Sequence, residues 1–157
     1  MPLSKSLLVD SAILLALILV GLIGYKLSPY VAPRAGLVAL PPPACDLART
    51  PCEAALPQGG RLMLSVTPRP IPVATPIALL VTLEGLSAER VEVDFAGVEM
   101  NMGYLRPRLK PAGAGRFIGE TTLPVCVTGR MTWQATVLVE AGGGRLAVPF
   151  RFEAGHR

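Results

Sequence analysis

One uninterrupted apolar run near the N-terminus constrains this chain more than any other feature. From Leu7 to Tyr25 the only charged residue is Asp10, and the stretch AILLALILVGLIGY carries none. At about 1.5 Å per residue the run reaches roughly 30 Å, the thickness of a bilayer's hydrocarbon core. The chain has 157 residues, room for one ordinary domain. A segment so apolar cannot be buried inside a domain that small, so it is a membrane span or a secretory signal. A signal should end in a small-x-small cleavage site soon after the run. Here Lys26 and LSPYVAPRAG follow, and Ala32 precedes a proline. Cys45, which follows PPPA well downstream, does not make a lipoprotein signal. Residues 1–26 are therefore expected to be an uncleaved anchor that contacts membrane lipid through 7–25, with a cleaved signal as the alternative. Asp10 falls within about a turn of the helix end, where a carboxylate reaches interfacial water rather than relaying protons.

Charge does not orient the anchor, because Lys5 stands on one flank and Lys26 and Arg34 on the other. The cysteines are more informative. Cys45 and Cys52 bracket CDLARTPC, a separation that can close a disulfide and is wider than a zinc knuckle, with no histidine beside it. A disulfide belongs outside the cytosol. The expected topology is a single-pass protein of the inner (cytoplasmic) membrane, N-terminus cytoplasmic, domain periplasmic. The formal charge of +4, with 5% aromatic residues and no basic helix, excludes a nucleic-acid binder. It suits anionic headgroups or an acidic partner.

Residues 27–60 are rich in proline, from Pro29 to Pro57, and end in Gly59-Gly60, which predicts a semi-rigid tether carrying the cysteine pair. From Arg61 the apolar pattern takes a period of two. Val91, Val93 and Phe95 alternate with Arg90, Glu92 and Asp94. Strands are expected from Leu62 to Val66, Ile77 to Leu83, Arg90 to Phe95, Val98 to Leu105, Arg116 to Leu123, Met131 to Glu140 and Arg145 to Glu153. Turn residues separate them, with Gly142 to Gly144 as a hairpin loop. The fold class is all-β: residues 61–157 form an antiparallel immunoglobulin-like sandwich of about seven strands, preceded by one transmembrane helix. Trp133 is expected at the core, and Pro149, lacking an N–H, places its strand at a sheet edge.

Enzymatic constellations are missing from the sequence. The one histidine, His156, is the penultimate residue, so neither a histidine-based triad nor a histidine zinc site can be assembled. Glu92 and Asp94 read as a solvated strand face. No enzyme is expected. What remains is sulfur. Met100 and Met102 stand two apart in VEMNMGYL, and Cys126 and Met131 flank a turn in LPVCVTGRM. Thioethers and a thiolate are soft donors that select copper(I), so Met100, Met102 and Cys126 are the candidate metal ligands. The bland reading of the same residues is core packing, which for Met131, in phase with Trp133, is the stronger one. In an unbroken strand Tyr104, Arg106, Arg108 and Lys110 continue the methionines' parity, although Gly103 and Pro107 could equally break the phase; these four are the candidate interaction surface, and charged edges also serve simply to discourage strand pairing.

The C-terminal portion, GRFIGETTLPVCVTGRMTWQATVLVEAGGGRLAVPFRF, resembles the closing half of FixH/YtkA-like domains. The shared elements are Gly115 with Phe117, Leu123 with Pro124, and Gly129 with Trp133. The resemblance covers a quarter to a third of the chain and implies a membrane-tethered immunoglobulin-like module found with copper transport or respiratory oxidase assembly. The expectation is a periplasmic accessory that binds copper(I) and assists copper handling or assembly of an oxidase complex. The alternative is a non-catalytic protein-interaction sandwich tethered to an envelope complex. A thiol-redox role for Cys45 and Cys52 is weaker, because the pair lacks CxxC spacing.

Overall fold

A computed structural model describes residues 5–31, 36–57, 59–125 and 129–155. The chain divides into two compact units, Met1–Arg34 and Ala35–Arg157. The first is one helix, α1, over Lys5–Val31. It runs past the expected end of the anchor and takes in Pro29, whose missing N–H forfeits a single bond close to the terminus. The described apolar side chains of α1, from Val9 to Ile23, are exposed rather than packed into a core. Among the described residues no helix is long and apolar enough to cross a membrane; the described side chains of α1 cover only 9–11 and 13–23.

The second unit is a β-sandwich. Its strands are β1 Leu37–Ala39, β2 Cys52–Ala55, β3 Arg61–Thr67, β4 Pro76–Glu84, β5 Arg90–Gly97, β6 Lys110–Pro111, β7 Arg116–Thr122, β8 Met131–Ala141 and β9 Gly144–Ala154. One sheet has the order β1-β9-β8-β5 and the other β2-β3-β4-β7-β6. All pairs are antiparallel except β1 with β9. Period-two patterning explains the long strands. In β8, Met131, Trp133, Ala135, Val137 and Val139 are buried, while the residues between them are half-exposed. Each large side chain removed from water in this way is worth about 1.5–3 kcal/mol before entropy is counted. Trp133, Phe95 and Phe150 are the largest fully buried side chains. Phe95 meets Phe152 edge to face, with ring centroids 6.4 Å apart.

Two crossing segments close the open sides between the sheets. On one side the chain leaves β1 along β9, where Leu47 N–H donates to the Arg151 carbonyl (3.3 Å), and then enters the other sheet as β2. Leu47 is fully buried there, and Cys45 and Cys52 sit at disulfide-bonding distance across the step, Cα atoms 5.9 Å apart. On the other side, residues 105–109 run along the β5 edge before becoming β6. Val93 N–H donates to Pro107 and Leu109 N–H to Val91, and Leu109 is buried.

Three expectations need correction. The stretch 37–56, read as part of a tether, supplies β1, β2 and the buried Leu47, Cys52 and Leu56, because short apolar residues between the prolines still find sheet partners. The segment from Val98 to Leu105 is not a strand: β5 stops at Gly97, and pairing resumes only at the isolated Phe95–Leu105 bridge. Pro149 does not mark an outermost strand, since β9 lies between β1 and β8. It sits instead in a gap, after β1 pairing ends at Ala147 and before the Asp46–Arg151 bridge, where its absent N–H has no partner to lose.

Candidate functional site

The site is built at the end of the β5–β8 pair. Gly97, the last residue of β5, faces Trp133 of β8. A Cβ on Gly97 would collide with the Met131 methyl and the Met100 carbonyl, and would lie 3.1 Å from Met102 Cγ. Gly97 is therefore a cradle over which two methionine side chains converge. Glycine within a strand commonly marks such a close approach. Beyond it, residues 98–104 form a loop. Asn101 Oδ1 accepts the Gly103 N–H at 2.8 Å, an Asx turn, and Gly103 takes φ +82, a value that favours glycine.

The three methionines differ in setting. Met131 is 6% exposed and held by strand pairing to Ala154. Met102 is half-buried against the core. Met100 is 36% exposed. Met100 and Met131 line one shallow concavity with Glu99, Arg130, Thr132 and Glu153, and Met100 and Met102 line its neighbour along the loop. Thr132 N–H donates to Glu99 Oε2 at 3.1 Å, and hydrogen bonding from Thr132 holds the Glu99 carboxyl below the usual glutamate range. Cys126 and His156 lie outside the described residues. Among the described residues no group of three or more histidine, cysteine, aspartate or glutamate side chains is placed to hold a metal; thioethers are a different donor class.

The basic ridge does not share one face with the methionines, because the loop breaks the parity. Tyr104 is 79% exposed and stacks on the Arg106 guanidinium, 5.1 Å from ring centroid. Arg106 also pairs with Asp94 at 3.2 Å, and that hydrogen bond pushes its pKa up. Asp94, read from the alternation as part of a solvated strand face, is instead a half-buried partner of Arg106. Arg108 and Lys110 instead border a concavity on the outer face of the β4–β7 pair, beside Leu80, Ile118 and Glu120. Sequence reasoning passed over Gly97, whose signal was a glycine ending a clean strand pattern; Met131, read there as core packing in phase with Trp133, is buried.

No protein-family model matches the chain, and no curated protein matches it. A solved structure described as an engineered protein aligns with a TM-score of 0.44 and 20% identity, over 66% of this chain. The aligned part spans about a fifth (21%) of that chain's length, and a likeness at this level carries no argument.

Proposed function

We propose that this is a non-enzymatic, membrane-anchored copper(I)-binding accessory whose immunoglobulin-like sandwich lies in the periplasm and assists copper handling or assembly of a membrane complex such as a respiratory oxidase. The observation that carries the reading is the approach of the Met102 and Met131 side chains over Gly97, beside a loop on which Met100 is 36% exposed. Met100 and Met102 are the ligands assigned, with Cys126 as the third donor offered by the sequence. Soft neutral donors of this kind select copper(I) among common metals.

Membrane anchoring is supported by α1. The apolar run from Leu7 to Tyr25 lies within it, and at about 1.5 Å per residue that run matches a hydrocarbon core of about 30 Å. The cysteine pair supports an oxidising compartment. Copper(I) titration of the full-length chain in detergent should show near-stoichiometric binding that collapses in Met100→Ala/Met102→Ala. Equal, weak binding by both proteins would sink the reading. In that case the protein-interaction reading takes its place, favoured by one observation: Val98, Met100, Tyr104 and Val125 expose their apolar surface on the loops at this same end. Aromatic residues, methionine and arginine are the types enriched at interfaces.

A further inference from the structure

Around Gly97 every pair of three methionines shares a setting. Met102 and Met131 meet over the missing Cβ, Met100 and Met131 border one concavity, and Met100 and Met102 border the next. We infer that Met131 is the third ligand of a neutral, all-thioether site formed with Met100 and Met102, and that this site takes a soft monovalent cation. The inference rests on the copper(I) reading above and deepens it by putting Met131 in place of Cys126 as the third donor.

Placement gives the three donors separate tasks. Met131 belongs to β8, locked between β5 and β9, so its sulfur is positioned by the rigid sheet. Met100 and Met102 belong to the loop and can close on a bound ion. A site with one fixed and two adaptable donors needs little reorganisation of the scaffold. The donor class then sets selectivity. Three thioethers add no charge, so the bound ion keeps its own, which favours copper(I) or silver(I) over zinc or copper(II). The ionisable groups at the rim are Glu99, Arg130 and Glu153. The Glu99 carboxylate, held by the Thr132 N–H, offsets part of the cation's charge. Methionine sulfur also stays available in an oxidising compartment, where free thiols are drawn into disulfides.

The protonation chemistry separates this site from one using a thiolate. A thioether has no proton to lose, whereas a thiol must give one up to bind metal. Below an ordinary thiol pKa, a site with one thiolate loses about tenfold in affinity per pH unit.

The test is copper(I) affinity of the full-length chain in detergent, measured under reducing conditions against a chromogenic copper(I) chelator, with silver(I) as a redox-inert second probe. Wild type, Met131→Leu and Met100→Ala/Met102→Ala are compared at pH 8 and pH 6. Leucine keeps the volume of Met131 in the core and removes only the sulfur. The expected result is a loss of at least about tenfold in Met131→Leu, with wild-type affinity changing less than about threefold between the two pH values. If Met131→Leu stays within about twofold of wild type while the double variant loses binding, Met131 is not a ligand and the copper reading survives without it. A drop of about 100-fold in wild type from pH 8 to pH 6 assigns a thiolate and overturns the all-thioether set. The pH comparison needs no variant and separates thioether from thiolate donors; where Met131→Leu does not fold, Met131→Ile, which also keeps an apolar side chain and removes the sulfur, carries the test of the third ligand with the same two outcomes. A wild-type chain that binds neither ion overturns both proposals.

Discussion

The two ends of the sandwich differ in how much of their packing is left to side chains. At the end where the chain enters through β1, backbone packs on backbone. A Cβ on Gly60, which sits at φ +101, would strike the Glu84 carbonyl and come within 3.2 Å of Gly85 Cα. The strands there are joined by the tight Gly142–Gly143 turn and flanked by ion pairs, with Glu140 accepting from Arg90 at 3.5 Å and Arg145 at 2.6 Å. About 30 Å further along β9, by strand rise, the other end combines a backbone contact, of Gly155 against Gly129 and Arg130, with side-chain packing. Methionines fill the space over Gly97, and the connections 98–104 and 123–130 are longer. The difference teaches where this molecule can tolerate adjustment. Backbone contacts cannot yield without shifting strands, whereas long unbranched thioethers can change rotamer. Binding residues tend to sit on loops carried by a rigid scaffold, and the 98–104 loop at the end of β5 has that form.

The contrast can be broken most directly at its two glycines. Gly60→Ala should destabilise the domain by more than about 1 kcal/mol, because both the backbone conformation and the space exclude a side chain. Gly97→Ala should cost less, since the Met131 methyl and the loop carrying Met100 can give way. Denaturant melts of the two variants would show this order, and a reversed order would end the distinction between a stiff and a yielding end. A smaller effect tests the charges at the entry end. Glu140→Gln should cost no more than about 1 kcal/mol, and the loss should shrink as salt is raised, because exposed pairs are screened. Comparison of thermal melts at low and high ionic strength checks both points.

The smallest effect belongs to the methionine end. The folded state holds the Glu99 pKa down, chiefly through hydrogen bonding from Thr132. Its contribution is therefore present above the unfolded glutamate value and is lost as pH falls through the lowered folded one. Between about pH 5 and pH 3 the wild type should lose slightly more stability than Glu99→Gln. Parallel acid titrations by circular dichroism would show the curves converging as the carboxylate is protonated. Curves with the same spacing throughout would remove Glu99 from the account of this end.

Local chemistry was enough for the long strands. Alternation in RVEVDFAG and in MTWQATVLVE marks one buried face, because side chains on a strand point alternately to opposite sides. The buried Trp133 and the glycine hairpin between β8 and β9 follow from the same reasoning. The apolar run likewise announces a long helix whatever surrounds it. The site was less open to reading. Parity carried from Met100 to Lys110 assumes a continuous strand; Gly103 and Pro107 are residues that can break the phase, but neither tells that pairing already lapses after Gly97.

What ends the strand is a relation between distant parts of the chain. Residues 105–109 take the edge of β5 and then cross to the other sheet, so the residues between must loop out. The same crossing separates Arg106, which turns to Asp94, from Arg108 and Lys110, which border the opposite sheet. Proline density in 27–60 suggested a tether for a similar reason. Composition reports what a segment prefers alone, not that Leu37–Ala39 will find β9 or that Leu47 will plug the gap between sheets. Periodicity records which face of a strand is apolar. Only long-range pairing decides where strands stop, which edges they meet and that Met131 comes to rest with Met102 above a glycine thirty-four positions earlier, Gly97.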